Sequence, residues 1–200
     1  MNFAPGGMRR SSLASMVALG AVCLALSSGV CRSQQLVATA QTQQQLSAAI
    51  VGSWTGVLEY RDYSSNERVK LPTWLQVQPE GQGLRFKYVY DDGPTKVVED
   101  AELVTIDAAK ATYTVLSKPG EGADVSSIAG LDALKSGRGT LMLTGTGTEN
   151  GHAVDVRTTL HVGRNILEIL RETRVQGDEF KFRHAYTFTR STPPNAAAQH

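Results

Sequence analysis

Thirteen residues near the end of the chain, DEFKFRHAYTFTR, alternate between apolar and polar side chains, and that alternation limits the fold more than any other feature. A period of two places Phe180, Phe182, His184, Tyr186 and Phe188 on one face of an extended strand, with Glu179, Lys181, Arg183, Thr187 and Thr189 on the other. The pattern recurs upstream. Val154, Val156, Thr158, Leu160 and Val162 stand opposite Asp155, Arg157, Thr159 and His161, and Leu84, Phe86, Tyr88 and Tyr90 stand opposite Arg85 and Lys87. Strands with one oily face belong to antiparallel sheets that bury one side.

Turn chemistry separates these runs. Asp92-Gly93-Pro94 follows one, Asn150-Gly151 precedes another, and Gly163-Arg164-Asn165 and Gly177-Asp178 divide the last three. The spacing predicts eight or nine strands, near 52–61, 68–78, 83–91, 95–106, 110–117, 139–147, 152–162, 164–175 and 179–190. The interruption SKPGEGADVSSIAGLDALKSG, residues 117–137, carries Val125, Ile128, Leu131 and Leu134 every three residues. It reads either as a short helix or lid closing one end of the sheet, or as an irregular extra strand or packed loop. The fold class is therefore all-β, an antiparallel meander of eight to ten strands. Such a meander removes its exposed edges by closing into a barrel, with a two-sheet sandwich as the alternative. A barrel of this size is filled by side chains or holds one small ligand.

The termini have a different composition. Arg9 and Arg10 precede an apolar run from about Leu13 to Leu26, followed by small residues, which is the order of an export signal over residues 1–33. That implies a periplasmic or secreted protein, cleaved after Ser33 or after Ala40. Both cysteines, Cys23 and Cys31, lie inside the signal, so the mature chain would hold no disulfide. The six glutamines of residues 34–45 suggest a tether over 34–47, with Leu46–Val51 making one helical turn at the entrance to a folded domain spanning 48–190. STPPNAAAQH, with Pro193-Pro194, reads as a disordered tail over 191–200. No segment after the signal is long and apolar enough to span a membrane.

Charge narrows the partners. The chain has 20 Lys plus Arg against 19 Asp plus Glu, a formal net of +1. Removing Arg9, Arg10 and Arg32 with the signal leaves 17 basic and 19 acidic residues, a mildly acidic protein. Nucleic-acid binding, which needs a strong basic footprint, is a poor expectation.

The opening Gly52-Ser53-Trp54-Thr55-Gly56 resembles the Gly-x-Trp signature of lipocalin-type barrels, including lipocalin-like secreted bacterial domains, and stands in the right place at the start of the first strand. The string LEYRDYSSNERVKLPT resembles secreted bacterial proteins with the same opening. That resemblance implies a barrel closed by an arginine late in the last strand packing over the tryptophan, with Arg190 in the matching position. It brings no activity with it. A long helix after the barrel and a cysteine pair stapling the ends, both found in true lipocalins, have no counterpart here.

Local catalytic motifs are missing: the sequence has no Gly-x-Ser-x-Gly, Ser-x-x-Lys or His-Glu-x-x-His, and no Gly-rich phosphate loop. Gly81-Gln82-Gly83 and Gly145-Thr146-Gly147 read as turn or bulge glycines. The histidines, His152, His161, His184 and His200, are too scattered for a metal expectation. His184 stands out because it interrupts an aromatic face. It serves either as a hydrogen-bonded core residue or as a ligand contact, and a resemblance to nitrobindin-like barrels would make it a haem ligand. Tyr88, Tyr90 and Tyr186 each combine an apolar ring with one hydroxyl, suited to orienting a ligand and equally to a core. Glu59, Arg61 and Asp62, and Arg171, Glu172 and Arg174, form charged clusters at a rim or on the surface. The expectation is an exported, non-enzymatic barrel without a cofactor that binds a small lipophilic or amphipathic molecule. The alternatives are a packed structural or interaction domain of the cell envelope, a haem barrel, or a weak pocket enzyme.

Overall fold

A computed structural model describes residues 40–191 apart from Tyr63, Pro119, Glu121 and Lys135. The export signal, the start of the tether and nearly all of the C-terminal tail lie outside the described residues. Ten antiparallel strands follow one another: β1 (Gly52–Arg61), β2 (Arg68–Glu80), β3 (Gly83–Asp91), β4 (Val97–Asp107), β5 (Thr112–Leu116), β6 (Asp124–Ala129), β7 (Gly139–Glu149), β8 (His152–Val162), β9 (Ile166–Arg174) and β10 (Lys181–Arg190). Each pairs with its sequence neighbours and β1 pairs with β10, so the meander is a closed barrel rather than a sandwich. The Asn150-Gly151 hairpin has positive φ at both residues (50° and 79°), the conformation a two-residue primed turn requires.

Segment 117–137 resolves into a strand. β6 pairs with β5 and β7, and a 3-10 turn at Leu131–Ala133 follows it. A residue with positive φ, Gly137 (71°), lets the next stretch lie directly on helical backbone: a Cβ there would sit 2.1 Å from the Gln45 carbonyl oxygen. That helix, α1, covers residues 40–50 and corrects the tether expectation. Leu46 and Ile50, one helical turn apart, are 0% and 1% exposed and plug one end of the barrel. Glutamine-rich composition hid a helix whose apolar stripe is only two large residues wide. No helix among the described residues is long and apolar enough to cross a membrane.

The interior divides by depth. At the α1 end, Trp54, Leu75, Val77, Val104, Leu141, Val162, Leu167 and Phe188 pack with Leu46 and Ile50 into a dry core. The Gly-x-Trp-x-Gly opening closes this end. The Trp54 indole N–H donates to the Ile50 carbonyl at 2.9 Å, and the Arg190 guanidinium stacks 4.1 Å from the Trp54 ring while donating to the Val51 and Ala49 carbonyls. Both glycines have steric reasons. Gly52 (φ 137°) lies under Arg190, where a Cβ would come 2.5 Å from Nη1, and a Cβ on Gly56 would meet the Thr187 carbonyl oxygen at 2.0 Å across the closing seam.

β10 departs from strict alternation. Its register with β9 shifts between Phe182 and His184, a bulge that inserts Arg183 and flips the preceding residues to the other face. Phe182 therefore lies under Arg68 (3.9 Å) and Phe180 under Arg157 and Arg174 (4.1 and 4.4 Å), away from the face they share in a uniform strand. His184, Tyr186 and Phe188 keep the inward parity.

Candidate functional site: a polar cavity at one end of the barrel

The inward face loses its apolar character away from α1. On β3 the inward series runs Leu84, Phe86, Tyr88, Tyr90, and on β4, read backwards from the core, Ile106, Val104, Glu102, Asp100. On β7 it runs Leu141, Leu143, Gly145, Gly147. The last two glycines lie within the strand and make room: a Cβ on Gly147 would stand 3.3 Å from Val156 and 4.0 Å from Nη2 of Arg171. Gly147 lines a space toward the β7–β8 rim, and beside it a cavity of about 200 Å³ occupies the half of the barrel remote from α1.

Tyr88, Tyr90, Tyr186 and His184 all line it. Tyr88 stacks on Tyr90 at 5.9 Å and tilts against Tyr186 at 5.3 Å, and Tyr186 meets the His184 imidazole edge-on at 5.5 Å. The Tyr90 and Tyr186 hydroxyls share a 3.0 Å hydrogen bond. Burial pushes the Tyr90 phenol up to about 12 and the Tyr186 and Tyr88 phenols well above their ordinary value. These rings are neutral donors and acceptors at any ordinary pH. Trp54 and Arg190 lie at the other end, in the closure, not in the cavity.

Sequence reasoning named Arg171 within a charged cluster at a rim, but passed over the carboxylates of this wall. Glu102 accepts a hydrogen bond from the Tyr88 hydroxyl at 3.1 Å. Burial holds its carboxyl above the usual range; Asp100 and Asp124 at the exposed rim add to this, while the Tyr88 bond and Arg171 oppose it. The signal was present: Asp100 and Glu102 share the parity of Val104 and Ile106, so two carboxylates occupy core-facing positions of a strand. Arg171 also lines the cavity, opposite His184 in the β9–β10 register. Its neighbours in the LRETR cluster point outward, where Arg157 pairs with Glu172 and Arg174 with Asp155, each at 2.9 Å.

His184 has no hydrogen-bond partner among the described residues, contrary to the satisfied core histidine one reading expected. Burial, reinforced by the positive charges of Arg171 and Arg183, lowers its imidazole to about 4, so it is neutral at physiological pH. Arg183 is tied to Glu149 at 3.2 Å and to the Arg61 carbonyl at 3.1 Å. Arg171 and His184 also border a second space of about 260 Å³ toward the β7–β8 rim, so together they partition the open half of the barrel. Among the described residues, no three His, Cys, Asp or Glu side chains gather as a metal site. His184 is the one histidine among the residues lining the cavity, and so the residue that would offer an axial nitrogen to a haem.

Neither a protein-family model nor a curated protein matches the sequence. Among solved structures, the S-type phycobiliprotein lyase CPES from Guillardia theta matches with a TM-score of 0.53 at 8% identity, covering 78% of this chain and 97% of that one. The likeness is one of fold. Both chains are lipocalin-like antiparallel barrels, here with ten strands and a closed seam.

Proposed function

We propose that this chain is an exported, non-enzymatic barrel that binds a small amphipathic molecule in the cavity remote from α1. The observation that carries the reading is the convergence of Tyr88, Tyr90, His184 and Tyr186 on a space inside the barrel, beyond the buried core. A cavity of about 200 Å³ corresponds to roughly seven waters of liquid volume, so the occupant has on the order of seven to ten non-hydrogen atoms. Its apolar part would lie against Leu143, Val156, Leu160 and Ile169, and its polar part against the tyrosine hydroxyls and the imidazole. Of the two expected ligand types, lipophilic or amphipathic, the second suits this space, because most of the side chains around it are polar. A fold shared with a bilin-protein lyase is compatible with such a role and does not specify it.

Two measurements test the proposal. Native mass spectrometry of protein isolated from its own host should detect a small co-purifying species. Titration with p-cresol, benzoate or 1-pentanol, followed by NMR, should shift the signals of Tyr90, His184 and Tyr186 and leave Trp54 unmoved. A folded protein that carries nothing and responds to no member of the panel would overturn the reading.

A further inference from the structure

Glu102 and Arg171 line one cavity and carry opposite charges, yet they do not bond to each other. Glu102 lies on β4 and Arg171 on β9, with β5 to β8 between them along one side of the barrel and β10 and β1 to β3 along the other. They sense one another electrostatically, but no nitrogen of Arg171 reaches within 4.0 Å of a carboxylate, and the guanidinium makes no hydrogen bond among the described residues. Elsewhere in this barrel arginines find partners: Arg157 with Glu172, Arg174 with Asp155, Arg183 with Glu149. A partly buried guanidinium and a partly buried carboxylate facing the same small space usually meet, since each otherwise forgoes its best hydrogen bonds. Here the strands hold them apart.

We infer that the cavity takes a small zwitterion, with its carboxylate on Arg171 and its ammonium group on Glu102. This rests on the binding role proposed above. Each end has a second feature that suits it. Beside Arg171, the neutral His184 ring has an N–H able to donate to the same anion, and the planar guanidinium matches a carboxylate in two-point geometry. Tyr88, Tyr90 and Tyr113 line the same cavity as Glu102, and Asp100 and Asp124 add negative charge at the rim. The arrangement disfavours ligands with a single charge. A plain carboxylate leaves the acidic wall unanswered, and a plain amine leaves Arg171 without an anion.

Four probes of matched chain length separate the possibilities: 5-aminopentanoate, pentanoate, pentylamine and 1-pentanol, titrated calorimetrically into the purified protein. The zwitterion should bind about tenfold or more tightly than either singly charged probe. Arg171→Gln should bring its affinity down to that of pentylamine, and Glu102→Gln to that of pentanoate. Thermal melts confirm that each variant is folded, and Arg171→Met serves if the glutamine variant is not. The inference is overturned if pentanoate, pentylamine or 1-pentanol matches the zwitterion, in which case the binding role stands without it. It is also overturned if both folded variants retain full affinity. Absence of binding by all four probes to folded protein removes the inference, and the binding role falls with it only if the p-cresol and benzoate titrations are silent too.

Discussion

His184 couples the cavity to stability in a way that can be measured. In the barrel its imidazole is lowered to about 4, whereas in the unfolded chain it takes the ordinary value near 6.5. Between these values the unfolded state binds the proton and the folded state does not, so stability falls as pH drops through that window and is unaffected by this group above it. Lowering the pH from about 7.5 to about 4.5 should therefore remove about 2–3 kcal/mol through His184 alone. Glu102 works in the other direction, because a carboxyl held above its ordinary value gains stability for the fold as it is protonated. The two effects separate by comparison with His184→Gln, which keeps Glu102 and replaces only the imidazole. Urea unfolding of both proteins across that pH range should show the variant losing about 2–3 kcal/mol less than the wild type at the acid end, whatever constant offset the substitution adds. Parallel stability curves, or an NMR titration placing the His184 imidazole near 6.5 in the folded protein, would refute the reasoning.

Two further outcomes concern the closed end. Leu46→Ala should cost about 2–5 kcal/mol in denaturant unfolding, because α1 is a wall of the core; a loss below about 0.5 kcal/mol would mean that the helix is dispensable. Arg190→Ala should cost about 2–4 kcal/mol by removing the stack on Trp54 and leaving the Val51 and Ala49 carbonyls without their donor. Arg190→Lys should lose part of that, since an ammonium cannot serve both carbonyls and stack on the indole. Per folded molecule, probe binding in the cavity should be unchanged in all three.

Much of the architecture could be read from the chain because a half-buried strand writes its two faces directly into alternating residues. Alternation and turn spacing together predicted eight or nine strands, and the closure of the ends by Arg190 over Trp54 was implied by the resemblance that the short opening carries. β6 was not among them, because DVSSIA places Asp124 and Ser126 where the alternation would need apolar residues, and its short pairings with β5 and β7 supply the order instead. The bulge at Arg183 was equally hidden. Inserting one residue leaves the composition of DEFKFRHAYTFTR unchanged while moving Phe180 and Phe182 to the other face. Of the cavity, the aromatic members were legible as an aromatic face interrupted by a histidine. Glu102 and Arg171 required the register, since which charged residues of a strand face inward depends on its parity relative to the core.

The division of the barrel along its axis separates two kinds of inheritance. Substitutions at Gly52, Trp54, Gly56 or Arg190 disturb a closure in which helix, first strand and last strand meet, so these positions tolerate little. Substitutions at Asp100, Glu102, Arg171 or His184 occur beyond the dry core, on strands whose other ends remain anchored in it. One half of the molecule can thus drift in chemistry while the other keeps the shape. Two chains that share this closure share a shape, and the chemistry of the opposite end is free to differ between them.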